Sequence, residues 1–219
     1  MAPAGQGVRV LAPALPARLE MLAGPKALSG APLTLQGVHI RGAVLAGQDL
    51  EEWELHGCVL ENCRLLQCGL RGARFSDVVL KNCDLSGSRL ADSYFARCEW
   101  RQVKAEGADL SGARLYHLAA RGCTLTGANL DGASLERAVF SGCGLAECWF
   151  TACKLRQVAF EEADLRAASF FHTPLKGLDF TTCRFEGVTL SDDAREVRGA
   201  VVNLEQAAGL ARLLGVIVR

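Results

Sequence analysis

Apolar residues recur along this chain every five positions. From Ile40 to Leu190, every residue number divisible by five is apolar, 31 positions in all, and 27 of them are Leu or Phe. The remainder are Ile40, Trp100, Ala105 and Ala120. A helix repeats every 3.6 residues and a strand every 2, so neither template produces this period. A second position, two residues before each centre, is Ala, Cys, Ser, Thr or Val at 27 of 31 sites; the exceptions are Gln48, Trp53, Leu118 and Leu178. Two residues after each centre stand 14 of the 23 glycines, counting from Gly37. This spacing predicts a turn with positive φ once per unit. Small and large side chains thus alternate toward an interior. No five-residue unit can bury its apolar face alone, but stacked units can, so the pattern predicts a solenoid.

Three blocks carry the pattern in its fullest form: Ala108-Asp109-Leu110-Ser111-Gly112, Ala128-Asn129-Leu130-Asp131-Gly132 and Ala163-Asp164-Leu165-Arg166-Ala167. They resemble the A(D/N)LXX motif of the pentapeptide-repeat family, and the resemblance extends over residues 36–191. It implies an all-β fold, a right-handed quadrilateral parallel β-solenoid with four pentapeptides per coil. Eight coils at about 4.8 Å each would make a rod about 38 Å long. The frame does not slip between residues 35 and 191, which leaves no room for a long looped insertion. The expected organisation is an N-terminal cap segment at 1–34, the solenoid at 35–191, and a C-terminal helix and strand at 192–219 for capping and dimerisation.

Irregularities within the frame are read as packing. Trp100 is too large for a central site, while Ala105 and Ala120, next in the coil and one coil on, are small; this predicts volume compensation. Phe140/Phe160/Phe180 and Phe150/Phe170 predict ladders of stacked rings. Residues Pro16 to Gly24 predict a short helix, proline in its first turn and glycine after its end, forming a lid on the first coil; the alternative is a loose tail. Beyond residue 191, Asn203 is the expected cap of a helix starting at Leu204, with Glu205 and Gln206 in its first turn. Ala207, Leu210, Ala211, Leu213 and Leu214 give it an apolar face. Gly215 ends it, and Val216, Ile217 and Val218 predict a short strand. The segment either shields the last coil only or also joins two rods.

Composition narrows the function classes. The formal net charge is zero and no charge run occurs, so a basic nucleic-acid footprint is missing and direct nucleic-acid binding is not expected. No apolar run approaches about 18 residues, so no membrane partner is expected. The N-terminal stretch, interrupted by Pro3, Pro13 and Pro16, does not read as a signal peptide. All ten cysteines occupy the small inward position. Their spacing does not suit a closed zinc site, and no metal or cofactor is expected. Disulfides are conceivable in one column, at Cys63/Cys83 and Cys123/Cys143. The reading taken is that cysteine serves as a small buried hydrophobe, which fits a reducing cytoplasm. His39, His56, His117 and His172 fall at outward positions over three faces, and no P-loop, GxSxG or HExxH occurs, so an enzyme is not expected.

Residues 205–218 resemble the C-terminal helix-plus-strand of the topoisomerase-directed pentapeptide proteins: the Qnr quinolone-resistance group and the related MfpA and albicidin-resistance proteins. That resemblance implies a homodimer, formed through Leu204, Ala207, Leu210, Ala211, Leu213, Leu214, Val216, Ile217 and Val218, which binds DNA gyrase or topoisomerase IV by mimicking duplex DNA and gives resistance to gyrase-targeting antibiotics. The unbroken frame departs from the looped Qnr type and is closer to the loop-free MfpA type; the neutral net charge departs from the acidic MfpA type. Sorted by face on a twenty-residue coil, Asp49, Glu51, Glu52, Asp92, Asp109, Asp131 and Asp192 share one face with Arg71 and Arg89 only. This acidic face is the expected partner surface. The adjacent face carries Arg74, Arg97, Arg114, Arg137, Lys154, Arg156 and Lys176 against Glu54, Asp77 and Glu136. The alternative is a structural or scaffolding pentapeptide-repeat protein with a non-topoisomerase partner.

Overall fold

A computed structural model describes residues 7–22, 28 and 33–218. The chain winds as a right-handed quadrilateral β-solenoid in which each coil lies in register on the one twenty residues earlier. One ladder of bridges runs Asp49–Gly69–Arg89–Asp109–Asn129–Trp149–Ser169–Thr189, all parallel. Gly69 N donates to Gln48 O at 2.9 Å and Leu70 N to Arg89 O at 2.7 Å, so each level bonds to the levels above and below. Two of the four faces are regular enough to form strands: β1 (Glu20–Leu22), β2 (Thr34–Gln36), β3 (Val38–Arg41), β4 (Glu54–His56), β5 (Val59–Glu61), β6 (Arg74–Ser76), β7 (Val79–Lys81), β8 (Tyr94–Arg101), β9 (Arg114–Arg121), β10 (Ser134–Ser141) and β11 (Lys154–Glu161). The pairings β2–β4–β6–β8 and β3–β5–β7–β8 converge on β8, and β8–β9–β10–β11 continue the sheet. The other two faces are held by single bridges.

The corner position adopts positive φ at every site from Gly37 to Gly187 except Thr182. Glycine occupies many of these corners, but Asn62, Asp92, Arg97 and His117 adopt the same conformation. The stack therefore imposes the turn even where a Cβ opposes it. The exception is a β-branched residue, the type that tolerates this region least.

The interior is one continuous core. Phe140 and Phe160 stack with centroids 5.5 Å apart, Phe160 and Phe180 at 5.8 Å, and Phe150 and Phe170 at 5.2 Å. Trp100 is buried, pairs in register with Leu80 and Ala120, and meets Phe95 edge-on at 5.3 Å. The large ring thus sits beside the small residue that makes room for it.

Two expectations are corrected. In the described part of the segment expected to be helical, residues 16–22, Glu20–Leu22 form β1, parallel to Val38–Ile40, with Glu20 N donating to Gly37 O at 2.9 Å. The open edge of the first coil offers these residues a ladder, and that outweighs a weak local helix preference. Residues 23 and 24 lie outside the described residues. Val216–Val218 form no strand, and among the described residues they enter no ladder. Helix α1 (Leu204–Leu213) forms as expected, with a reciprocal capping box between Asn203 and Gln206.

Candidate partner-binding surfaces

The inward small residues do more than fill space. Cys68 Sγ donates to Leu45 O at 2.8 Å, Cys148 Sγ to Leu125 O at 2.9 Å and Cys153 Sγ to Leu130 O at 3.0 Å. Each acceptor is the central residue 23 positions earlier, one coil down. Ser88 and Thr173 donate to Leu65 O and Phe150 O in the same geometry. Leu125 O and Leu130 O also accept from Ala128 N at 2.8 Å and Ala133 N at 2.9 Å, so there the thiol is a second donor. At Leu45 O, Leu65 O and Phe150 O the side-chain donor satisfies the interior carbonyl. All ten cysteines are free and buried. Burial pushes the Cys98, Cys148 and Cys153 thiols up to about 12. In the stacked pairs, a thiol–thiol hydrogen bond and burial keep Cys83 and Cys143 protonated. Such thiols are poor nucleophiles and poor metal ligands. Among the described residues, no group of three or more His, Cys, Asp or Glu side chains could hold a metal ion.

An N-terminal arm, which the periodic pattern could not reveal, lies along one corner of the rod. Gly7 and Val8 share a cavity of ≈ 500 Å³ with Gln157 and Lys176. Leu11 N donates to His117 Nδ1 at 3.0 Å, and Ala14 N to Asp77 Oδ1 at 2.9 Å. Pro16 then packs on Gly57, where an added Cβ would meet Pro16 Cδ at 3.2 Å. The arm explains why His117, outward by frame, is buried. Asp77 is held below the usual carboxylate range, first by Arg97, whose Nε and Nη2 reach its two oxygens at 2.7 and 2.6 Å.

The arm's contacts with His117, Asp77 and Gly57 lie on the corner that borders the face rich in cations. On the acidic face, Asp49, Glu51, Glu52, Asp92 and Asp192 are exposed, and Asp109 and Asp131 are half-buried. Not all of this charge is free. Arg71 Nε and Nη2 bind Asp92 Oδ2 at 3.2 and 3.0 Å. Asp109 Oδ1 accepts from Asn129 Nδ2 at 3.1 Å, and Asp131 Oδ1 from Thr151 N at 3.2 Å. The face also holds exposed Trp149, and Phe171 on the next coil.

At the C-terminal end, the residues expected to form one interface divide into two sets. Leu210 packs partly buried against the core, and Ala211 is half-buried. Leu204 is 88% exposed and Ile217 83%; Ala207, Leu213, Leu214, Val216 and Val218 are also exposed. The shielding of the last coil falls to Gln206, which is buried and whose Nε2 donates to Phe180 O at 2.7 Å and Cys183 O at 2.8 Å. Glu196 is also buried there. Burial raises its carboxyl, but hydrogen bonds from its own backbone, Ser191 and His172 N outweigh that and hold it below its ordinary value.

The geometry is that of a continuous parallel β-solenoid. The chain belongs to the pentapeptide repeat family: residues 53–130 and 121–194 match the pentapeptide repeat region. Among solved structures it is similar to full-length QnrB1, a plasmid-mediated fluoroquinolone resistance protein, at 22% identity over 90% of this chain and 95% of that one, with a TM-score of 0.47. It is also similar to HetL, a pentapeptide repeat protein involved in heterocyst differentiation regulation from the cyanobacterium Nostoc, at 21% identity over 78% and 87% of the two chains, with a TM-score of 0.41. A pentapeptide repeat protein of the Arabidopsis thaliana thylakoid lumen matches at 24% identity over 61% and 74%, with a TM-score of 0.37. No curated protein matches the sequence significantly. Among the described residues no helix is long and apolar enough to cross a membrane.

Proposed function

We propose that this protein is a binding module, not an enzyme: a cytoplasmic homodimer that occupies the DNA path of gyrase or topoisomerase IV and gives resistance to gyrase-targeting antibiotics. The observation that carries the reading is the end of the rod, where the last coil is already closed by Gln206 and Leu210 while Leu204, Leu213, Leu214, Val216 and Ile217 remain exposed. An apolar surface left over after capping calls for a second copy. Two rods of about 38 Å and the joining helices would span about 90–100 Å. At about 3.4 Å per base pair this approaches 30 base pairs of duplex. The acidic face supplies a part of the charge, and shape and length support the mimicry more than charge density does.

The test is gyrase binding and supercoiling with the triple variant Asp92→Lys, Asp109→Lys, Asp131→Lys. Binding should weaken and lose salt sensitivity. Arg114→Glu with Arg156→Glu, on the adjacent face, should leave binding intact or strengthen it. A second reading, a scaffold with another partner, is favoured by the Arg71–Asp92 pair, which interrupts the acidic face. An acidic triple variant that modulates supercoiling like wild type would leave that reading in place.

A further inference from the structure

We infer that the anchor of the partner interface is the aromatic pair Trp149 and Phe171, and that it takes an arginine or lysine side chain from a basic protein groove. The inference rests on the topoisomerase reading and assigns the contact within it.

The acidic face is sparsely charged for a DNA mimic, and Asp92 is paired with Arg71. Carboxylates along it cannot by themselves match a duplex that carries about one charge per 1.7 Å. The same face presents Trp149 at 55% exposure and Phe171 at 39%. In a solenoid of this kind large apolar residues belong inside. Here Trp149 and Phe171 stand outward on neighbouring coils, their Cα atoms about 8 Å apart on the diagonal by strand rise and coil spacing, and the Phe171 ring rests edge-on against His172 at 4.0 Å. Trp149 is fixed in a continuous ladder between Asn129 and Ser169, so the ring stands on a rigid backbone.

The surroundings select the occupant. Glu147 is exposed two residues before Trp149, and Asp131 lies one coil down, tied to Thr151 N at 3.2 Å. Beyond Arg89 the outward positions of this face hold no Lys or Arg until Arg195 in the terminal turn, whose Nη2 meets His172 Nδ1 at 2.7 Å. An indole with Glu147 and Asp131 on neighbouring positions favours a cation, above all a guanidinium, which can stack on the ring and pair with a carboxylate at once. The same carboxylates disfavour a phosphate at this position. Exposed tryptophans in partly desolvated pockets are the residues that dominate protein interfaces.

Binding of purified DNA gyrase to wild type, Trp149→Ala, Trp149→Phe and Phe171→Ala tests this. Trp149→Ala should melt like wild type, since the ring packs nothing inside, yet bind about 10–100-fold more weakly with an unchanged salt slope. Trp149→Phe should retain most of the affinity. Trp53 and Trp100 are buried, so a 5-fluorotryptophan label gives one solvent-exposed fluorine signal, lost in Trp149→Phe, that should shift when gyrase is added. Equal affinity of wild type and Trp149→Ala, or an exposed signal unmoved in the complex, overturns the inference alone. Failure of wild type to bind gyrase removes the proposed function and this inference with it.

Discussion

The backbone N–H of Leu11 donates to Nδ1 of His117, 106 residues away, at 3.0 Å. The bond requires an unprotonated Nδ1. It also fixes a segment of chain across coils that have no sequence neighbours in common.

The arm should therefore loosen in mild acid. Burial, then Arg137 and Arg97, push the His117 pKa below its ordinary value, and Glu136 opposes them. Arg137 Nη1 lies 3.3 Å from both His117 Nε2 and Tyr116 OH. With the folded pKa depressed, the neutral ring's contribution is fully present above about pH 6.5 and is lost as pH falls through the folded value. Amide exchange of residues 7–19, corrected for intrinsic rates, should rise as pH drops below about 6.5. His117→Asn, which keeps an acceptor but does not titrate, should abolish the step.

The donor role of the inward position is testable at Cys68. Cys68→Ser should be nearly neutral, because Ser88 already makes the equivalent bond one coil on. Cys68→Ala leaves Leu45 O without this donor and should cost about 1–2 kcal/mol by denaturant unfolding. Thiol titration should find few reactive groups in the native protein and all ten after unfolding.

Ala120 faces Trp100 across one coil step. Ala120→Leu should overpack that level and cost about 1–3 kcal/mol. A denaturation midpoint equal to wild type would show that the two do not share volume.

Capping and self-association should separate. Gln206→Leu removes the donor to Phe180 O and Cys183 O and should destabilise the last coil by about 1–3 kcal/mol, seen as faster exchange near Cys183. Leu213→Asp with Ile217→Asp changes exposed residues only. That variant should stay folded and sediment as a monomer, whereas wild type should sediment as a dimer at micromolar concentration.

The period of five, the alternation of Ala or Cys with Leu or Phe inward, and the cap Asn203 before Leu204 are properties of neighbours in the chain. Each acts within a few residues, so the sequence alone determined the solenoid and the start of the C-terminal helix, and the unbroken period, counted over twenty-residue coils, set the register that pairs Trp100 with Ala120. The Glu20–Leu22 strand was not legible, because its preference is set by the vacant edge at Val38–Ile40 and not by its own composition. The burial of His117 was not legible either, since the arm that covers it comes from residues with no periodic signal. Nor was the division of labour at the C-terminal end, where Leu210 faces the rod and Leu213 faces solvent although both lie on one apolar stretch. These outcomes belong to the tertiary structure, because each depends on which surface distant segments leave open once the coils have stacked.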